Sequence, residues 1–149
     1  GHDVSWYCAP AISLQEFDVP KDALTIGCIV NDRPRKGLKY LIAATELLPK
    51  NLPIHFVFIG DINNNKLLES IKQSHYSESI HLLGVQKKAA AIIKSCDICI
   101  LPAIKREDLP KGIIEGMFQN VAPIVTDFGG SPELIAYVNS WLIVLWGSA

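Results

Sequence analysis

Several signatures that would fix a function at sight are missing from this chain. No G-x-G-x-x-G follows its first strand-like run, which argues against a nicotinamide-binding domain, and no Walker A sequence occurs, which excludes a P-loop NTPase. Asp127-Phe128-Gly129 spells the kinase magnesium triplet, but neither H-R-D nor V-A-I-K accompanies it. The formal net charge is −1, so the basic excess of a free nucleic-acid binder is absent. No apolar run approaches the roughly 18–20 residues of a membrane span. The start lacks a basic region followed by an apolar one, so no signal peptide is visible. The four cysteines, Cys8, Cys28, Cys96 and Cys99, form no disulfide pattern, which fits a reducing compartment and leads us to expect a cytoplasmic protein. Cys96 and Cys99 do spell C-x-x-C, but inside the strand-like CDICILP, whereas the redox motif sits where a strand hands over to a helix. His55, His75 and His81 show no metal spacing with cysteine or carboxylate. His55 and His81 lie in strand runs and read as packed or surface histidines.

What remains is a chain of 149 residues, 49% hydrophobic and 19% charged, about one domain with a real core. Gly1-His2 reads as an expression-tag remnant, so the natural protein is expected to extend upstream. Residues 1–23 lack periodicity and read as an ordered lead-in or linker, and 24–149 as the domain proper. From Leu24 strand and helix patterns alternate. Apolar runs suited to strands covered on both faces occur at Leu24–Val30, Ile54–Ile59, Ile80–Leu83, Ile98–Leu101, Val121–Thr126 and Trp141–Leu145. Amphipathic helices are expected at Lys36–Leu48, stopped by Pro49, at Lys66–Ser74, and at Gln86–Lys94, with Asn63-Asn64-Asn65 as a turn or cap. Two more are expected near Pro110 and from Ser131-Pro132, where proline suits the first helical turn. This order predicts an α/β fold, a three-layer, doubly wound parallel sheet of Rossmann type. Ligands in such sheets bind beyond the carboxyl ends of the strands.

The loops there carry the chemistry. After the first strand, Arg33, Arg35 and Lys36 put cations on a loop entering a helix, where they oppose the helix dipole and make sense around an anion. A solvated basic loop is the plain alternative. Gly60-Asp61 and Leu83-Gly84 follow the second and third strands, and glycine permits close approach. After the fourth strand, Glu107 and Glu115 flank a helix start at Leu109-Pro110-Lys111-Gly112. Free N–H groups at such a start attract anions, while carboxylates suit hydroxyls such as those of a ribose or sugar.

These residues together resemble the C-terminal half of retaining glycosyltransferases of the GT-B fold, group 1, family four. The resemblance rests on R-P-x-K-G at Arg33–Gly37, Ile59-Gly60-Asp61, Leu83-Gly84, the E-x7-E pair Glu107/Glu115, and V-T-D-F-G-G-S-P-E-L, over roughly Leu24 to Val144. It implies that Arg33 and Lys36 neutralise the diphosphate of a nucleotide-sugar donor, UDP-sugar foremost, and that Glu107 faces the transferred sugar. It implies donor contacts from Gly60, Leu83, Gly84, Leu109, Pro110, Lys111 and Gly112, with Glu115 on the ribose hydroxyls. It further implies no metal or other cofactor and an acceptor-binding N-terminal domain outside this chain. The implied acceptor is a glycan or lipid-linked, which is compatible with peripheral membrane association of the full-length enzyme. The isolated domain is expected to be inactive. Departures are Asn31 where the family often has arginine, Glu115-Gly116 for the usual E-A, and the tail Asn139–Trp146, which suggests truncation or alteration at the end. The competing reading is a non-catalytic doubly wound domain that binds a protein partner or a phosphorylated ligand.

Overall fold

The computed structural model describes residues 10–102, 121–126 and 142–144. Its centre is a parallel sheet of six strands: β1 (Leu24–Ile29), β2 (Ile54–Ile59), β3 (Ile80–Gly84), β4 (Ile98–Leu101), β5 (Ala122–Thr126) and β6 (Leu142–Val144). Their spatial order is β3-β2-β1-β4-β5-β6, and all neighbouring pairs run parallel. The chain therefore fills one half of the sheet outward from β1, then returns to β4 and fills the other half. The reversal between β1 and β4 is the switch point at which doubly wound sheets open a crevice.

Side-chain alternation along β2 shows why the sheet is covered twice. Phe56 and Phe58 pack with Leu38, Leu41, Ile42 and Ile71 from helices α1 (Leu38–Thr45) and α2 (Asn65–Gln73). Val57 and Ile59 face the other way, against Ala89, Ile92 and Ile93 of α3 (Ala89–Ile93). The lead-in joins this second layer: Leu14, in a 3-10 turn over Leu14–Phe17, and Val19 are buried in the same cluster. A continuous apolar strand is what two-sided coverage demands, and a period of two splits it between the layers.

Strand positions expected from the apolar runs agree with the structure to within a residue at each end. Helix starts differ more, for local reasons. The helix expected from Lys36 begins at Leu38, after a separate 3-10 turn Pro34–Lys36 that ends at Gly37 with φ 75°. The one expected from Gln86 begins at Ala89, because the Gln86 amide donates to the Leu83 carbonyl at 2.7 Å and closes the strand end instead. Asn64 caps α2, its side-chain oxygen accepting from Leu67 N–H at 3.1 Å. The helices expected near Pro110 and Ser131 lie outside the described residues.

The two halves of the sheet are pinned at the amino end of the switch point. Asp97 Oδ2 accepts from Thr25 N–H at 2.9 Å and from its hydroxyl at 3.1 Å, and Asp97 N–H donates to the Thr25 carbonyl at 3.0 Å. The thiols among the described residues are core groups. Cys28, Cys96 and Cys99 are free and buried. Burial, reinforced by the neighbouring Asp97 carboxylate, pushes the Cys96 thiol up to about 12, and burial raises Cys28 well above its usual value. The C-x-x-C is thus packing and not a redox centre. Among the described residues no helix is long and apolar enough to cross a membrane.

Candidate functional site

The carboxyl ends of β1, β2 and β3 form one seam. Val30 N–H donates to the Ile59 carbonyl at 2.9 Å, and Gly60 N–H donates to the Gly84 carbonyl at 2.9 Å. Three of the candidate positions are therefore brought side by side: the loop bearing Arg33 and Lys36, then Gly60, then Gly84. Leu83 is half-buried against the α3 layer, with its carbonyl occupied by Gln86.

The two glycines do different work. Gly60 has φ 147°, and a Cβ there would lie 1.7 Å from the Val30 carbonyl oxygen. Its close approach is to the protein's own backbone, and only glycine lets the β1 and β2 ends meet. Gly84 has φ 68°, and a Cβ there would meet nothing within 4 Å. The space above Gly84 is open to a ligand; that at Gly60 is already filled.

The cationic loop is shaped by its own side chains. Asn31 Oδ1 accepts from Arg33 N–H at 3.0 Å, an Asx turn that redirects the chain after β1. Lys36 N–H then donates to the Arg33 carbonyl at 2.9 Å within the 3-10 turn. Arg33 is exposed, and among the described residues its guanidinium has no hydrogen-bond or ion-pair partner. Lys36 is half-buried, close enough to Cys28 for its charge to act on that thiol. A second loop is tied to the first by Asp32. Its Oδ2 accepts from the N–H groups of Asn63 and Asn64, both at 2.8 Å, and its own N–H donates to the Asp61 carbonyl at 3.2 Å. Sequence reasoning noted Asn31 only as a departure from the resembled family and gave Asp32 no role. The signal available was the pair Asn-Asp directly after a strand, since both residues bond neighbouring backbone groups in turns.

Glu107, Leu109, Pro110, Lys111, Gly112 and Glu115 lie outside the described residues. The chain leaves β4 at Leu101-Pro102, beside β1 at the switch point, so the stretch that carries them departs from the strand adjacent to the cationic loop.

Two other features lie apart from this site. A cleft of about 430 Å3 opens at the opposite, amino-end pole, between the lead-in at Ser13 and Val19 and the strand starts at Thr25, Ser95 and Asp97. Its carboxylate is engaged by Thr25, and it presents no cationic cluster comparable to the β1 loop. His55 and His81 meet across β2 and β3, which sequence spacing did not reveal: Nδ1 of one lies 2.9 Å from Nε2 of the other, with the rings stacked at 5.2 Å. Burial holds both below the usual imidazole range, and for His81 the neighbouring His55 adds to this while Asp18 works against it. Among the described residues no three metal-ligating side chains come together.

Comparison with known proteins places the chain. It is 29% identical over 108 residues to an N,N'-diacetylbacillosaminyl-diphospho-undecaprenol alpha-1,3-N-acetylgalactosaminyltransferase of Campylobacter jejuni, covering 71% of this chain and 28% of that protein. It is 28% identical over 123 residues to an uncharacterised glycosyltransferase of Methanocaldococcus jannaschii, covering 81% of this chain and 30% of that one. The chain thus spans less than a third of the length of these relatives. Among solved structures, Anabaena HepE in complex with UDP-glucose superposes with a TM-score of 0.82 at 20% identity, covering 99% of this chain and 42% of HepE. The C-terminal domain of LpcC from Francisella tularensis, a group 1 glycosyl transferase, superposes with a TM-score of 0.75 at 23% identity, covering 99% of this chain and 82% of that domain. At these identities the superpositions establish the GT-B half-fold alone. The decisive match is to the sequence model of the glycosyl transferases group 1, over residues 12–144, nearly the whole chain, and the chain belongs to that family.

Proposed function

We propose that this chain is the donor-binding part of a retaining, metal-independent glycosyltransferase that moves a hexose-type sugar from a nucleoside diphosphate, UDP foremost, to a glycan or lipid-linked acceptor. The observation that carries the proposal is the cationic loop Arg33–Lys36 at the carboxyl end of β1, beside the switch point, with Arg33 exposed and Lys36 half-buried. Arg33 and Lys36 there face a diphosphate, and open space over Gly84 admits the rest of the nucleotide. Structural relatives crystallised with UDP and with UDP-glucose support the choice of nucleotide.

The remaining roles are proposed from the sequence. Backbone N–H groups of Lys111 and Gly112 meet the same phosphates, with Leu109 and Pro110 against the donor. Glu115 accepts from the ribose hydroxyls, and Glu107 faces the sugar. In the reaction the acceptor hydroxyl attacks the anomeric carbon on the face from which phosphate departs. The C–O bond to phosphate breaks, and the acceptor proton passes to the leaving phosphate oxygen. The charge growing on that phosphate is offset by Arg33, Lys36 and the helix start. The acceptor site belongs to an N-terminal domain outside this chain, so the chain alone binds donor without transferring it.

Thermal unfolding with UDP-, GDP- and ADP-sugars at millimolar concentration tests this reading. One of them raises the midpoint, and Arg33→Ala or Glu115→Ala removes most of the rise. The absence of any shift across the panel would end the case for donor binding by this chain.

A further inference from the structure

Asp32 is an acid placed next to the residues proposed to hold an anion, which by charge alone is the wrong side chain. Coulomb repulsion between its carboxylate and a diphosphate weakens binding, and its attraction to Arg33 competes with the ligand. Its geometry gives a different reason for its presence. One carboxylate oxygen accepts from two successive backbone N–H groups, Asn63 and Asn64, each at 2.8 Å. The Asp32 N–H reaches across to the Asp61 carbonyl at 3.2 Å, and the Asn63 amide closes onto the Asp61 carboxylate. Asn64 is in turn the cap of α2. The loop after β1 is thereby bonded to the loop after β2 from both backbone and side chain. The Asx turn at Asn31 leads from the same residue pair directly into Arg33.

We propose that Asp32 is a positioning residue of the donor site. It latches the cationic loop to the Asp61–Asn64 loop, so that Arg33 and Lys36 are held over the seam formed by Gly60 and Gly84 and need not be ordered when the nucleotide arrives. A side-chain oxygen can accept from two N–H groups at once, so a short side chain that carries one at this position is suited to a latch that must hold without a ligand. Preordering a loop raises affinity by removing the ordering cost from the binding step. The inference rests on the donor-site reading above.

The test uses UDP as the probe, calorimetric titration of the full chain, and three variants. Asp32→Ala removes both the charge and the acceptor. Asp32→Asn removes the charge and keeps an oxygen that can accept from both N–H groups. Arg33→Ala reports on the site itself. A latch makes Asp32→Ala bind UDP about tenfold more weakly, roughly 1.4 kcal/mol, while Asp32→Asn stays close to the parent chain. A role through charge alone gives the opposite sign, with both variants binding as tightly as the parent or more so, and that result overturns the proposal. Equal weakening in both variants also overturns it, because the acceptor would then not be what matters. Should Asp32→Ala fail to fold, Asp32→Leu, which keeps the bulk and lacks the acceptor, takes its place: a tenfold loss with Asp32→Asn close to the parent supports the latch, and binding as tight as the parent refutes it.

Amide exchange at Asn63 and Asn64 in the absence of nucleotide separates the two layers of the argument. The latch requires both amides to exchange faster in Asp32→Ala than in the parent and in Asp32→Asn. If UDP does not bind the parent chain, or Arg33→Ala binds it undiminished, the donor-site reading fails while the exchange rates still judge the latch. Unchanged exchange in Asp32→Ala overturns the latch whatever the nucleotide does.

Discussion

Replacing Gly60 by alanine separates a glycine required by its neighbours from one required only by its backbone angle. The Gly60 φ of 147° lies where side-chain-bearing residues are strained. Holding a residue in such a region costs about 1–3 kcal/mol. The new Cβ would also overlap the Val30 carbonyl, 1.7 Å from its oxygen and 2.7 Å from its carbon. Backbone cannot swing aside as a side-chain tip can, and Val30 is itself bonded to Ile59 at 2.9 Å. Overpacking of this kind adds about 1–3 kcal/mol more, so the total is about 4 kcal/mol. For a domain of this size that lowers the thermal midpoint by about 10 °C or somewhat more. Gly84→Ala is the control. It pays for a left-handed φ of 68° but meets no atom within 4 Å, so its cost is about 1–2 kcal/mol. Circular dichroism melts of both variants against the parent give the comparison. A Gly60→Ala loss no greater than that of Gly84→Ala would refute the argument that the β1–β2 seam needs glycine at this position.

The His55–His81 pair makes stability depend on pH. Both imidazoles are held below their ordinary value of 6.5, so below that pH the unfolded chain takes up protons that the folded chain resists. Stability is therefore complete above the ordinary value and is lost as pH falls below it, and a His55→Gln/His81→Gln double variant flattens denaturant midpoints across that window. Equal pH slopes in parent and double variant would rule the pair out as the source. Native Cys28, Cys96 and Cys99 resist alkylation near neutral pH, because they are buried and Cys96 is pushed up to about 12. Mass spectrometry finding those three modified as fast as in denatured chain would contradict it.

Much of the fold was legible because the strands carry a one-dimensional signal. FVFI in β2 and ICIL in β4 are apolar without interruption, and that alone marks strands covered on both faces. Helix starts were less legible. Gly37 and Gln86 delay α1 and α3 through a left-handed turn and a side-chain bond to Leu83, neither of which has a periodicity. For the site, composition pointed to Arg33 and Lys36, since three cations at a helix entrance work against the helix dipole. It could not show that Gly60 is filled by Val30 while Gly84 is open, because that depends on which strand ends touch. The partners of Asp32 were hidden for the same reason, Asn63 and Asn64 lying roughly thirty positions away. The histidine pair likewise depends on strand order, with β2 beside β3.

The most direct test of the donor site is a titration of the isotopically labelled chain with UDP, followed through backbone amide resonances. Binding at the carboxyl ends of the strands shifts Asn31–Gly37, Gly60 and Gly84 together and leaves the opposite cleft at Ser13, Thr25, Ser95 and Asp97 unmoved. Shifts confined to that cleft, or none anywhere at millimolar UDP, would contradict the proposal that this pole of the sheet holds the donor nucleotide.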